Sequence, residues 1–199
     1  MDLFTDPTAN LLPKDGVVHD YGQILDAAKE EQLFRQLIAE VPWESDEVVM
    51  FGKRIVTSRK VAWYGDAGFT YKYSGTEKVA LPWMPVLTGL KKLVEVRCGE
   101  RFNSCLLNLY HDGSEGMGWH SDDEATIVRD SAIASVSLGV ERKFSFKHRE
   151  TKETVSLMLE RGSLLVMKGE TQRFWRHSLP KTKKVDQPRI NLTFRSFVT

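Results

Sequence analysis

One stretch near the C-terminus constrains the fold more than any other. Arg189-Ile190-Asn191-Leu192-Thr193-Phe194-Arg195 alternates polar and apolar side chains without a slip. In an extended strand successive side chains point to opposite faces. Period two therefore puts Arg189, Asn191, Thr193 and Arg195 on one face and Ile190, Leu192 and Phe194 on the other. An inward face with two cations and two neutral polar groups is costly to bury unless a ligand pairs with it. The guanidinium fork matches a carboxylate, so a dicarboxylate is the natural ligand for such a face. A solvated outer face is the plainer alternative.

Upstream of this strand lie residues that suit a metal. His120 and Asp122 form an H-x-D pair in Trp119-His120-Ser121-Asp122-Asp123-Glu124, and His177 follows about 55 residues later. Two imidazoles and one carboxylate on one side of a metal leave three positions open, which is the facial triad of non-heme Fe(II) oxygenases. Alone, an H-x-D is more often a surface hydrogen-bonding pair, and His177 after Phe174 and Trp175 reads equally as a core histidine. The arginine-bearing strand just downstream favours the metal.

Short strands separated by turns are expected near 104–110, 119–121, 133–139, 142–148, 153–160, 163–168, 174–178 and 189–197. Eight such strands indicate a mainly β (α+β) fold, a double-stranded β-helix or jelly roll. Before them, residues 1–16 read as a loose arm broken by Pro7, Pro13 and Gly16, and a short strand falls between Gly16 and Leu25. Asp26 caps a helix to about Glu40 with Leu33, Phe34, Leu37, Ile38 and Val41 on its apolar face. Residues 48–54 read as a hairpin, Trp63–Gly68 contains a turn, and Phe69–Gly75 reads as a strand that puts Tyr71 and Tyr73 on one face. A second helix runs from Pro82 to about Val96. Gly113, Gly116 and Gly118 make a pliable loop, the alternative being ordinary turn chemistry.

The length suits one domain: an arm at 1–16, supporting elements at 17–100 and a β core at 101–199. A net charge of +1 rules out a global polycation, so any nucleic-acid footprint is local. Candidates are Lys53, Arg54, Arg59 and Lys60 beside Phe51, and the loop with Lys181, Lys183 and Lys184. Cys98 and Cys105 are too few for a disulfide scaffold and read as buried thiols in a reducing compartment. No apolar run reaches membrane-span length, and the acidic N-terminus lacks a signal-peptide pattern. A cytoplasmic protein (nuclear in a eukaryote) and a monomer are expected.

The combination H-x-D…H followed by R-x-N-x-T-x-R, from about Gly52 to Phe197, resembles the AlkB-like Fe(II)/2-oxoglutarate dioxygenases. It looks most like the branch that repairs alkylated bases in duplex DNA. The resemblance implies Fe(II) on His120, Asp122 and His177, with O2 and 2-oxoglutarate as co-substrates. It implies 2-oxoglutarate contacts from Asn108, Tyr110, Arg189, Asn191 and Arg195, with Arg189 on the distal carboxylate. It also implies that the 48–54 hairpin is a nucleotide-recognition element with Phe51 as a finger entering the base stack. Arg59, Tyr71, Tyr73, Ser74 and Glu124 then contact the nucleic acid or line the pocket for the flipped base. Expected partners are alkylated DNA, double- or single-stranded, with RNA as an alternative. The competing readings are the same chemistry on RNA or protein, and a non-catalytic metal-containing nucleic-acid-binding module. A zinc hydrolase has no need of both arginines on one strand.

Overall fold

The computed structural model describes residues 9–50, 53–66, 69–73 and 76–198. In chain order the elements are β1 (Val17–Gln23), α1 (Ala27–Glu40), β2 (Glu44–Met50), β3 (Lys53–Gly65), β4 (Thr70–Tyr73), β5 (Thr76–Val79) and α2 (Pro85–Cys98). Then come β6 (Ser104–Tyr110), β7 (Met117–His120), β8 (Ile133–Gly139), β9 (Arg142–His148), β10 (Thr154–Leu159), β11 (Ser163–Lys168), α3 (Thr171–Phe174), β12 (Trp175–Leu179) and β13 (Arg189–Arg195). A seven-stranded sheet runs β1-β11-β8-β13-β6-β3-β2, and a four-stranded sheet runs β10-β9-β12-β7. The last eight strands thus divide four and four between two sheets, which is the expected jelly roll.

The alternation in β13 explains its place in the middle of the larger sheet. Ile190, Leu192 and Phe194 are fully buried and pack in one cluster with Leu33 and Leu37 of α1 and Leu87, Leu90 and Val94 of α2. At about 1.5–3 kcal/mol for each fully buried apolar side chain, this face supplies the drive to bury the strand. The opposite face, carrying Arg189, Asn191, Thr193 and Arg195, lines the cavity inside the roll. A second cluster, including Val18, Ile133, Phe146, Leu165, Met167 and Trp175, closes the other end.

Both helices form for reasons visible in their ends. The Asp26 carboxylate accepts the Lys29 N–H at 2.8 Å, as an N-cap should. The helix α2 starts at Pro85 rather than Pro82, because a proline favours the first helical turn while its predecessor is held extended, as Met84 is at ψ 147°. It stops at Gly99 in the left-handed conformation, φ 72°. Ile38, expected on the buried face of α1, is 39% exposed. The buried Glu30 takes a share of that face instead, accepting from the Gly139 N–H and from Arg161.

Three further expectations gain detail. Within Trp63–Gly68, strand runs as far as Gly65, because β3 continues to pair with β6 through Trp63↔Leu106 and Gly65↔Ser104, and the chain bends at Asp66. The strand expected at 69–75 is the first half of a hairpin, β4 with β5. The glycine loop before His120 is packed rather than pliable. A Cβ on Gly113 would sit 2.3 Å from the Thr182 carbonyl oxygen, and one on Gly116 would sit 2.4 Å from that of Leu179. These glycines let the 111–116 loop lie directly on the 180–185 loop, where the Gly113 N–H donates to the Val185 carbonyl and the Gly113 carbonyl accepts from the Thr182 N–H. Cys98 and Cys105 are buried free thiols, and burial raises both above the ordinary thiol range, Cys105 by far the more.

Candidate active site

Antiparallel pairing of β12 with β7 sets His177 directly opposite His120. Their rings lie 4.2 Å apart between centroids. Asp122 follows β7 at the start of an irregular segment, with Oδ1 4.0 Å from His120 Nε2. One ligand atom from each of the three residues lies within 4.8 Å of the others, close enough to share a metal ion. Asp122 and His177 are buried, and His120 stands at the cavity wall with its side chain 35% exposed.

The surroundings prepare each donor. His120 Nδ1 lies 2.9 Å from the Gly118 carbonyl, so Nδ1 carries the proton and Nε2 is left with its lone pair. His177 stacks on Phe144 with centroids 5.5 Å apart. Burial pushes its pKa down to about 3, although Asp122 works the other way, so its imidazole is neutral. Burial alone raises the Asp122 carboxyl. The charge of Arg195 foremost, with those of His177 and His120 when they are protonated, overcomes this and holds it at about 2. Arg195 Nη2 donates to Asp122 Oδ2 at 2.9 Å, leaving Oδ1 on the histidine side. Desolvation opposes the charge on Arg195, but Asp122 outweighs it and raises the arginine pKa.

Of the two arginines on the polar face of β13, one has therefore found its counter-ion within the protein. The other has not. Arg189 is 2% exposed and lies opposite Tyr110, with its guanidinium 5.7 Å from the tyrosine ring. Nη2 donates to Ser137 Oγ at 2.9 Å, Nε has no partner, and among the described residues no carboxylate pairs with the group. Burial lowers its pKa to about 10, which leaves it a cation at neutral pH. Asn108 Oδ1 is a second buried polar atom without a partner, on the strand beside it. Unsatisfied buried groups of this kind mark the berth of a ligand. An unpaired guanidinium and an amide in the same cavity as a metal site suit the charge and metal-binding chemistry of a small keto-dicarboxylate.

The cavity holding these groups has a volume of about 750 Å³. Asn191 and Thr193 line it but also bond within the sheet: Asn191 Nδ2 donates to Ser135 Oγ at 2.8 Å, and Thr193 Oγ1 to Asn191 Oδ1 at 3.1 Å. Glu124 lies at its edge. Although it reaches solvent, the protein crowded around it and the charge of Asp122 hold its carboxyl above the usual range.

Arg59 requires a correction. It is 7% exposed, lies in the cavity wall, forms an ion pair with Asp46 and donates to Met117 Sδ at 3.2 Å. Its charge is paired with Asp46 inside the cavity wall rather than presented at the surface. Bulge-shifted pairing of β2 with β3 brings the two together, which no sequence pattern announced. Lys181, Lys183 and Lys184 are exposed to solvent. Phe51 and Ser74 lie outside the described residues. Tyr71 and Tyr73 fall on β4, but their side chains likewise lie outside what is described. Ser135 and Ser137 were missed, yet β8 alternates in period two as β13 does, and the same reading applied there finds both. Asp46 and Met117 carry no such signal.

A jelly roll holding two histidines and a carboxylate beside an unpaired buried arginine defines a non-heme iron oxygenase that takes a dicarboxylate co-substrate. Comparison with known proteins narrows the class. Residues 18–195 match the family model of the 2OG-Fe(II) oxygenase superfamily. The DNA oxidative demethylase ALKBH2 of Mus musculus is 41% identical over 198 residues, covering 94% of this chain and 83% of its own. ALKBH2 of Homo sapiens is 38% identical over 203 residues, covering 96% and 78%. The human alpha-ketoglutarate-dependent dioxygenase alkB homolog 3 is 35% identical, covering 88% and 64%. A solved structure of OsALKBH1 superposes with a TM-score of 0.60 at 17% identity, covering 93% of this chain and 99% of that one, a likeness of fold. The chain belongs to the 2OG-Fe(II) oxygenase superfamily, in its AlkB-like branch. It is a dioxygenase that uses Fe(II), 2-oxoglutarate and O2. Among the described residues no helix is long and apolar enough to cross a membrane.

Proposed function

We propose that this enzyme removes alkyl groups oxidatively from N-alkylated bases in DNA, as a step of alkylation repair. His120, Asp122 and His177 hold the iron. Arg189 pairs with the distal carboxylate of 2-oxoglutarate, and Tyr110 and Ser137 fix the plane of its guanidinium. Asn108 and Asn191 flank the body of the co-substrate, and Arg195 keeps Asp122 ionised and aimed. Iron, 2-oxoglutarate and O2 supply the oxidation: the co-substrate becomes succinate and CO2, and one oxygen atom enters the N-alkyl carbon. The hydroxylated product then releases the free base and an aldehyde.

The base must leave its stack to reach the cavity. Glu124 at the edge favours a base that an alkyl group has made cationic, and accepts from an exocyclic amine. Tyr71 and Tyr73 stack on the base, Ser74 borders it, and Phe51 enters the gap in a duplex. The enzyme acts as a monomer where DNA is kept, in the cytoplasm or a nucleus. One observation supports this reading most: the buried Arg189, with no carboxylate partner among the described residues, faces the same cavity as the triad and Glu124.

The test is anaerobic reconstitution with Fe(II) and 2-oxoglutarate, then admission of O2 with methylated DNA, single-stranded and duplex, and with methylated RNA. Succinate release should rise with methylated DNA and match the bases restored. Stimulation by RNA alone, or by neither nucleic acid, would overturn the assignment.

A further inference from the structure

The segment Ser121–Glu124 carries one metal ligand, Asp122, yet belongs to no helix or strand. Something outside the cavity must hold it, because a ligand on a free loop costs conformational entropy each time a metal binds. Two residues do so from behind. The Asp122 backbone N–H donates to Gln172 Oε1 at 3.0 Å. An N–H can meet only the carbonyl end of an amide, which fixes how the Gln172 side chain is turned. Its other end donates to Met167 Sδ at 3.4 Å, consistent with that orientation. Arg149 Nη2 reaches Ser121 Oγ, Asp123 Oδ2 at 3.2 Å and the Gln172 carbonyl at 3.5 Å. It thus ties the residues on both sides of Asp122 to the residue behind it. The Arg149 backbone N–H also donates to the Phe174 carbonyl at 2.7 Å, which anchors the brace to the α3–β12 junction that leads to His177.

We infer that Gln172 and Arg149 are positioning residues for the metal. Arg195 aims the Asp122 side chain from inside the cavity, and Gln172 and Arg149 set its backbone from outside. The brace connects two of the three ligands through the protein rather than through the ion: Asp122 by the Gln172 amide, and His177 by the strand that follows α3. Partners one step removed from a metal ligand change affinity by about 10- to 100-fold when removed. The inference rests on the iron site alone and is independent of which nucleic acid is the substrate.

The test uses the full chain, stripped of metal and titrated anaerobically with Mn(II), with free Mn(II) read by electron paramagnetic resonance. Gln172→Leu removes the acceptor for the Asp122 N–H and should weaken Mn(II) binding by about 10-fold or more. Gln172→Glu keeps an acceptor at the same reach, and its added charge acts toward tighter cation binding, so it should stay within about 3-fold of wild type. Arg149→Gln, on a half-buried side chain, should weaken binding less than Gln172→Leu but measurably. A folded Gln172→Leu protein with wild-type Mn(II) affinity overturns the inference, as does Gln172→Glu binding as poorly as Gln172→Leu. Should Gln172→Leu fail to fold, Arg149→Gln decides, and wild-type affinity there overturns the brace.

Discussion

Replacing Arg189 by methionine should make the protein more stable and useless at once. The guanidinium is 2% exposed, has no counter-ion among the described residues, and is driven by burial well below its ordinary pKa, to about 10. That displacement corresponds to roughly 3 kcal/mol of desolvation left uncompensated in the protein without co-substrate. Methionine carries no charge, and although it ends two atoms short of the guanidinium tip, the space it leaves opens onto the cavity. It forfeits the bond to Ser137, about 1 kcal/mol, and the contact with the Tyr110 ring, about another 1 kcal/mol. The balance is a gain of about 1 kcal/mol, or roughly 2–4 °C in melting temperature for a chain of this size. Co-substrate binding should move the opposite way, because removing one partner of a buried charge pair costs about 2–5 kcal/mol, or roughly 30- to several-thousand-fold in affinity. The assay is thermal unfolding under argon with Mn(II) in place of iron, with and without 2-oxoglutarate. Wild type at 100 times its Kd should gain about 2.7 kcal/mol from the ligand, and the variant at the same concentration less than about 1 kcal/mol. A variant that melts several degrees below wild type without ligand, or that shifts as far as wild type with 2-oxoglutarate, refutes the reasoning.

Three other outcomes are expected. In the metal-free protein His177 stays neutral down to about pH 3, whereas the unfolded chain takes up that proton near pH 6.5. Its contribution to stability is therefore full above pH 6.5 and falls as the pH drops, by up to about 1.4 kcal/mol per pH unit. Urea unfolding between pH 6.5 and 4 should show a flatter slope for His177→Asn, and equal slopes would count against a buried neutral imidazole. Gly113→Ala forces a Cβ to within 2.3 Å of a backbone oxygen; it should lower stability by about 1–3 kcal/mol, visible as a lower melting temperature. Phe51→Ala should reduce repair of methylated duplex much more than of methylated single strand, since only the duplex requires a stacked, paired base to be extruded at a cost of a few kcal/mol. Equal losses on both substrates, with a lowered melting point, would end the finger assignment.

Much of the β core was legible in the chain because a strand's side-chain period is short and local. Arg189–Arg195 announced its two faces without any neighbour, and Asp26 marked a helix start by chemistry confined to one turn. The facial triad was legible for another reason: metal ligation needs particular side-chain atoms, so His120, Asp122 and His177 stand out by type even though the chain separates them. What the sequence could not convey is which groups satisfy one another across the fold. It presented Arg189 and Arg195 as equals. The tertiary structure pairs Arg195 with Asp122 and leaves Arg189 open, because the β7 end lies over one end of β13 and not the other. It turned Arg59 from a surface cation into a buried partner of Asp46, and the glycines of the 111–116 loop from hinges into contact points. It set Gln172 behind Asp122, fifty residues apart in the chain. Period, capping and ligand type are properties of a few neighbouring residues and survive in the sequence alone. Charge pairing, close backbone approach and loop bracing depend on distances between segments, and those exist only once the two sheets have closed on each other.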